Sequence, residues 1–373
     1  MPRTLFSFRC APPRGKYASA LARGLLLGTI GIAALGCAED PAAPTGLAAT
    51  AHPDDAITAT TYAIRDLGTL GGGFSEAMAI NNFGRVVGLS DLASGKRHAF
   101  LWHAGVMEDL GALAGGQSKA LAINDSGVVV GSSTVLSGAW RAVRWKKGVK
   151  TNLGTLGGRN SEATGINLAG VIVGWSETSS GKRHAFIWRN GAMTDLGALA
   201  GGYSQASGIN RYGRVVGLSR AASGSNHAVV WKNGVMTDLG THGRRSTVAS
   251  AINDKGQIVG TLGPRLDAEG GELEVTTPFL FYQGTWTVFG TGQLSSEARA
   301  INAGGIIVGQ DEDPRDDFAN ADAWVRENGV VQQLPELSDG HSGASGINQY
   351  GTIVGSSKKT SDGQSHAVLW RRQ

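Results

Sequence analysis

Apolar and polar positions alternate over short runs in residues 161–197, and Gly, Asn and Ser separate the runs. SEATGIN (161–167), GVIVGWS (170–176), HAFIW (184–188) and GAMTDLG (191–197) each carry period-two or β-branched patterning. Runs this short between turn-formers predict strands, not helices; we name them a, b, c and d. The a–b connection reads Asn-x-x-Gly, as in Asn81-Asn82-Phe83-Gly84 and Asn253-Asp254-Lys255-Gly256. Asn can bond the backbone two residues on, and Gly accepts the left-handed conformation that closes such a turn. The c–d connection uses the same device, as in Trp102-His103-Ala104-Gly105 and Trp188-Arg189-Asn190-Gly191. Two tight hairpins therefore share one end of each unit.

The unit repeats. An Ile-Asn pair with Gly three residues after the Asn recurs at Asn81, Asn124, Asn167, Asn210, Asn253, Asn302 and Asn348, spaced by 43, 43, 43, 43, 49 and 46 residues. Self-similarity at this period marks a repeat architecture. A lone four-stranded sheet has open edges and two apolar faces, and radial stacking buries both. The chain thus predicts an all-β, seven-bladed β-propeller of antiparallel blades over residues 62–373. Small residues in strand a (Ala77 and Ala79, Ala163 and Gly165, Ala344 and Gly346) fit crowding near an axis. The repeats open with a lone d-type strand (YAIRDLG, 62–68) and stop at a c-type strand (HAVLW, 366–370). The N-terminal strand should complete the last blade and close the ring.

Strand c begins with His98, His184, His227 or His366 in four copies, and strand d carries Asp109, Asp195 or Asp238 in the matching ones. Closure supplies Asp66 for His366. Where strand c begins instead with Arg141 or Asp322, strand d has Asn152 or Gln333. This covariation predicts His–Asp bracing within a blade. Recurrence favours a structural role, because catalysis needs one site and not four.

The first 36 residues fall outside the repeats. Arg3, Arg9, Arg14, Lys16 and Arg23, without any acid, precede the apolar run 25–35. That run is short for a bilayer span, and it ends Ala34-Leu35-Gly36-Cys37. The pattern is similar to a bacterial lipoprotein signal, with Cys37 as the acylated residue and membrane anchor; Ala34 departs from the usual Leu, which leaves a plain secretory signal as the alternative. Residues 37–61, rich in Ala, Thr and Pro, read as a tether. Export to the cell envelope or beyond is the localisation this implies.

Charge then changes the picture. The chain has 34 Lys+Arg against 30 Asp+Glu; without the five cations of the leader, 29 remain against 30, a net −1. The basic stripe that nucleic-acid binding needs is not evident. The two cysteines, Cys10 and Cys37, both precede the repeats, which excludes a disulfide or Cys-ligated metal within them. No P-loop, dinucleotide Gly motif or nucleophile elbow appears.

With HAF at 98–100 and 184–186 and DLGTLGG at 66–72 beside NLGTLGG at 152–158, the chain resembles the HAF-repeat family of extracellular bacterial repeat proteins. The resemblance spans residues 62–373 and implies secretion and a repeat fold; it brings no activity and no catalytic residues. The fifth and sixth copies depart from it, with PFLFY at 278–282 and ADAWV at 321–325.

Function is expected on the face that carries the d–a and b–c loops. The residue before the recurring Ser differs in every copy: Phe74, Gln117, Asn160, Tyr203, Arg245, Ser295 and His341. Mixed aromatic, amide and basic groups circling the mouth of the axis suit a glycan or protein ligand. Asp311, Asp313, Asp316 and Asp317, with Glu312, form an acidic run able to offer oxygens to a hard cation such as calcium. Three functions compete: a non-catalytic binding module, a secreted hydrolase or lyase, and a purely structural repeat protein.

Overall fold

A computed structural model describes residues 60–263, 265–266, 272–273, 275–291, 295–312, 321–338, 340–359 and 363–373. Among the described residues there is no helix, and the strands form seven four-stranded antiparallel sheets plus one two-residue ladder. In chain order the blades span 71–109, 118–152, 157–195, 204–240, 247–288, 295–333 and 342–372, the last completed by Tyr62–Asp66. Tyr62 pairs with Arg372 and Asp66 with Val368, which closes the ring as a seven-bladed β-propeller. The fifth and sixth blades keep the pattern despite their divergent sequences, with Thr277–Tyr282 and Ala321–Glu327 as their c strands.

Blade 3 shows why the motif residues recur. Its strands are Gly157–Ile166, Ile172–Thr178, Arg183–Arg189 and Ala192–Asp195, hydrogen-bonded in that order from the axis outward. Strand a carries a bulge between Ala163 and Gly165, and Gly174 of strand b lies opposite it. A Cβ on Gly174 would stand 1.9 Å from the Glu162 carbonyl oxygen, so no other residue fits without moving a strand. The same bulge recurs in strand a of all seven blades. The crowding expected of strand a is real: the Cβ of an alanine at Gly346 would meet the Ala79 backbone of the next blade at 3.2 Å.

Each blade buries its faces against its neighbours. Val130 and Ala142 of blade 2 pack on Ala163, Ile172, Phe186 and Trp188 of blade 3. The closing interface is built alike, with Val354, Ala367 and Leu369 of blade 7 against Ala77, Phe100 and Trp102 of blade 1. A serine fastens most of these contacts; in blade 5 Thr247 stands in its place. Ser161 accepts the Ala142 amide of the preceding blade at 2.9 Å and donates to the Gly154 carbonyl at 2.6 Å. Ser75 does the same for Ala367 and Gly68 across the closure. Among the described residues the buried clusters run from Tyr62 to Trp370, within the compact unit Thr58–Gln373.

Candidate functional site

Around the axis, the recurring asparagines form a girdle. In each blade Asn Oδ1 accepts backbone amides of its own turn; Asn210 takes those of Tyr212 and Arg214 at 3.1 and 3.0 Å. Its Nδ2 then donates to the backbone carbonyl of the next blade's Asn. The bonds run Asn81 to Asn124, Asn167, Asn210, Asn253, Asn302 and Asn348, and Asn348 returns to Asn81, with lengths from 2.9 to 3.3 Å. Sequence reasoning read these residues as turn-formers only. Their second role was hidden because the partner is backbone more than forty residues away.

The girdle lines an axial cavity of about 460 Å³ at the tight-turn end. Seven isoleucines flank it, and the residue after each Asn borders it: Asn82, Asp125, Leu168, Arg211, Asp254, Ala303 and Gln349. These vary from copy to copy as much as the predicted mouth residues on the opposite face. Their polar groups, however, largely serve one another. Asn82 gives Asp125 two hydrogen bonds of 2.9 and 2.7 Å, Arg211 pairs with Asp254, and the Gln349 amide donates to Asn82. This end of the axis is cross-linked scaffold.

Nine of the eleven large apolar side chains exposed among the described residues also lie at the tight turns. The a–b turns carry Phe83, Leu168, Tyr212 and Tyr350; the c–d turns carry Val106, Val149, Val235 and Val330. These eight are between 57% and 69% exposed, and the ninth, Tyr282 at the c–d turn of blade 5, is 36% exposed.

On the loop face, most of the predicted mouth residues are engaged with neighbouring groups. Asn160 Oδ1 accepts the Trp140 amide at 3.1 Å, and His341 Nδ1 accepts that of Ala321 at 3.3 Å. Ser295 is buried and accepts the Thr276 amide. Each thus braces the preceding blade's b–c loop. Phe74 lies under the Arg97 guanidinium at 4.4 Å, and Gln117 is exposed. Arg245 is a register correction: Thr247, paired with Leu262, occupies the place that Ser75, paired with Ser90, has in blade 1, so Ser246 and not Arg245 matches Phe74. The unequal spacing of the fifth copy hid that shift.

Side chains near the axis on this face come from the residue after the buried Ser. Glu76 of blade 1 lies within electrostatic reach of Arg299 of blade 6 and Lys119 of blade 2. Burial pushes that carboxyl above the ordinary range, against the pull of Arg299, Arg97 and Lys119. Lys119 reaches Glu162 of the next blade at 2.7 Å.

Tyr203 belongs to the most developed aromatic arrangement. Arg183 stacks over Trp175 at 3.6 Å and over Tyr203 at 5.6 Å, and Arg220 covers Tyr203 at 5.0 Å. The row joins blades 3 and 4, and all four members reach solvent.

The His–Asp pairs are in contact. His98, His184, His227 and His366 place Nδ1 within 2.8–3.0 Å of Asp109, Asp195, Asp238 and Asp66. A carboxylate only accepts, so Nδ1 carries the proton. The same Asp accepts the amide two residues on, as Asp195 does from Gly197 at 2.7 Å, where Gly197 turns at φ 72°. In blade 2, Asn152 keeps that turn bond to Gly154 while Arg141 takes other partners. HAF is thereby explained: His braces the outer strand, Ala offers its amide to the next blade's Ser, and Phe fills the core under Gly.

Asp311 is also corrected. It sits within strand b of blade 6, 1% exposed, and Gln333 donates to it at 3.0 Å. Its carboxyl is pushed up by burial, with Ser296, Thr291 and Gln333 pulling the other way and Asp322 opposite it adding repulsion. It occupies the position of a buried strand-b Ser such as Ser176, not a loop cluster. Asp313, Asp316 and Asp317 lie outside the described residues, as does Cys37. Among the described residues no group of three or more His, Cys, Asp or Glu is placed to hold a metal.

No protein-family model and no curated protein matches the chain. Solved structures match at low identity. The β-propeller domain of the Trilobed protease from Pyrococcus furiosus is 12% identical over 66% of this chain and 78% of that one, with a TM-score of 0.47. AofleA from Arthrobotrys oligospora is 13% identical over 74% and 90%, with a TM-score of 0.42. For TolB from Acinetobacter baumannii the values are 11%, 59%, 55% and 0.42, so the match spans about half of that protein.

Proposed function

We propose that this protein is an exported, non-catalytic binding module, held to the cell envelope by an acyl chain on Cys37 and presenting its loop face to a glycan or peptide. The HAF and DLGTLGG motifs support its place among HAF-repeat proteins, and the lipoprotein-like leader supports the anchor. The row Trp175–Arg183–Tyr203–Arg220 carries the ligand reading. Its aromatic members depart from the other copies: Trp175 stands where blades 1 and 4 have Leu89 and Leu218, and Tyr203 where blade 1 has Phe74. Aromatic faces beside guanidinium donors stack on sugar rings or peptide side chains and bond their hydroxyls or carbonyls.

Binding of the ring to a glycan array, compared with Trp175→Ala/Tyr203→Ala, tests the ligand face. Loss of the wild-type signals in the variant supports it; equal binding, or an array blank for both, overturns it. For the anchor, Cys37→Ser should move the protein out of the salt-washed membrane fraction. Unchanged retention after the wash rules the acyl chain out.

A further inference from the structure

The tight-turn face combines features that the ligand reading leaves unused. Its turn tips hold exposed cations: Lys146 and Lys147 in blade 2, Arg189 in blade 3, Lys232 in blade 4, Lys255 in blade 5 and Arg371 in blade 7. None of these side chains forms an ion pair or hydrogen bond among the described residues. The carboxylates of the same face are already held, Asp254 by Arg211, Glu327 by Arg372 and Asp125 by Asn82. A molecule whose repeat region is close to neutral therefore presents one strongly cationic end. Summing charge along the sequence hides this, because the compensating acids lie elsewhere on the fold.

The exposed aromatic and valine side chains crowd the same end. Apolar side chains scattered singly over a surface need no explanation, but segregation to one face does. The Asn girdle repeats the same bond in every blade and so holds the seven a–b turns at one level. Phe83 and Tyr350 extend from neighbouring blades and Tyr212 from across the ring.

The chain enters the ring at this end too. The Gln373 amide donates to the Thr61 carbonyl at 3.0 Å, and Tyr62 pairs with Arg372 beside the c–d turns. The 23 residues from Cys37 to Thr60 can span at most about 80 Å. An anchored ring therefore stays close to a bilayer.

We infer that the tight-turn face docks onto an anionic lipid surface, with Lys147, Lys232, Lys255 and Arg371 over the phosphates and Phe83, Tyr212 and Tyr350 at headgroup depth. Basic groups near a charged leaflet and aromatic side chains at its interface are the two contributions such binding needs. Nucleic acid shares the phosphate chemistry but gains nothing from a ring of exposed valines. The inference rests on the exported, anchored reading for its setting only; the face is cationic and apolar whether or not Cys37 is acylated. Docked this way, the ring turns its loop face outward, where a ligand can reach it.

The test uses the ring, residues 58–373, which lacks Cys37, so failure of the anchor cannot affect the result. Co-sedimentation is measured with phosphatidylcholine vesicles and with vesicles containing about one-third phosphatidylglycerol. Capture by the anionic vesicles only is expected, weakening with salt. At about fivefold per cation, Lys147→Glu/Lys255→Glu should weaken it about 25-fold or more. Lys96→Glu/Lys182→Glu, on the loop face, should leave it nearly unchanged. Phe83→Ser/Tyr350→Ser should remove the capture that survives raised salt. No capture, indifference to lipid charge, or equal loss from both charge-reversed variants overturns the proposal. So does equal capture by duplex DNA that ignores Phe83→Ser/Tyr350→Ser, which would assign the face to nucleic acid. Each substitution is at an exposed turn or loop position, and an unchanged cooperative melt confirms that the fold is intact.

Discussion

Asn348 donates from Nδ2 to the Asn81 carbonyl at 3.3 Å, joining residues 267 positions apart and completing a circuit of seven such bonds. Both side chains are buried, at 6% and 3% exposure. The circuit therefore ties the first blade to the last at the axis, while strand pairing ties them at the rim.

Asn348→Ala removes that donor together with an oxygen that accepts the Tyr350 and Thr352 amides. Leaving buried amides unpaired costs about 1–3 kcal/mol. A thermal midpoint lower by several degrees is expected, with a comparable cost for Asn167→Ala. A midpoint unchanged in both would show the girdle to be incidental.

Asp66 reports on closure at the rim. Burial alone would raise its carboxyl, but hydrogen bonds from Gly68, Lys359 and His366 outweigh this and hold it below the ordinary 3.8. A depressed acid contributes stability that is complete above its unfolded value and lost as pH falls through the lower folded value. The thermal midpoint of the wild type should thus drop on acidification below about pH 4, and Asp66→Asn should flatten that limb. Parallel acid limbs in the two proteins would refute this.

Asp311 gives the opposite sign. Burial raises its carboxyl, so the fold is favoured with the group protonated and loses stability as pH rises from the ordinary 3.8 through the higher folded value. Asp311→Asn keeps an oxygen for Gln333 and removes the buried charge. Stabilisation by about 1 kcal/mol near neutral pH is expected in chemical denaturation. Destabilisation by the same substitution would mean that the ionised carboxyl is needed there.

Gly174→Ala should be costly without touching any hydrogen-bonding side chain. The added methyl would stand 1.9 Å from the Glu162 oxygen, forcing strands a and b apart at the bulge. Overpacking of this kind costs about 3 kcal/mol or more. Gly181→Ala, at a b–c turn with φ 79° and open space around it, should cost only about 1 kcal/mol of backbone strain. Equal midpoints for the two variants would contradict the close-approach account.

Repetition made much of this legible in the sequence. Seven looks at one unit fixed the strands, the turns and the closure through residues 62–66. Covariation of His98, Arg141 and Asp322 with Asp109, Asn152 and Gln333 singled out the His–Asp contacts before any coordinates. The same dependence on repetition explains the failures. Where the fifth copy lengthens, Thr247 takes the place of the recurring Ser, so Ser246 misleads and the pattern points one residue early, at Arg245. Asp311 looked like part of an acidic loop because the chain does not mark where strand b ends. Ser295 and His341 vary like ligand-binding residues, yet each hydrogen-bonds the neighbouring blade, and backbone partners leave no trace in composition. The cationic, aromatic end was invisible for another reason: its members are scattered through the repeats, and only folding gathers them.

The ring is fastened by its N-terminal strand, Tyr62–Asp66, and that fastening has a mechanical consequence. Any pull passed along the chain from upstream of Thr60 reaches Tyr62–Asp66 before any other element, and these five residues are held at the edge of blade 7 by backbone pairing, the Asp66 contacts and Tyr62. Under tension the molecule would unlatch at the rim first. Blade 7 would be left with three strands, still held to blade 1 by the packing of Val354, Ala367 and Leu369 and by the asparagine circuit, and ready to pair again when the load is released.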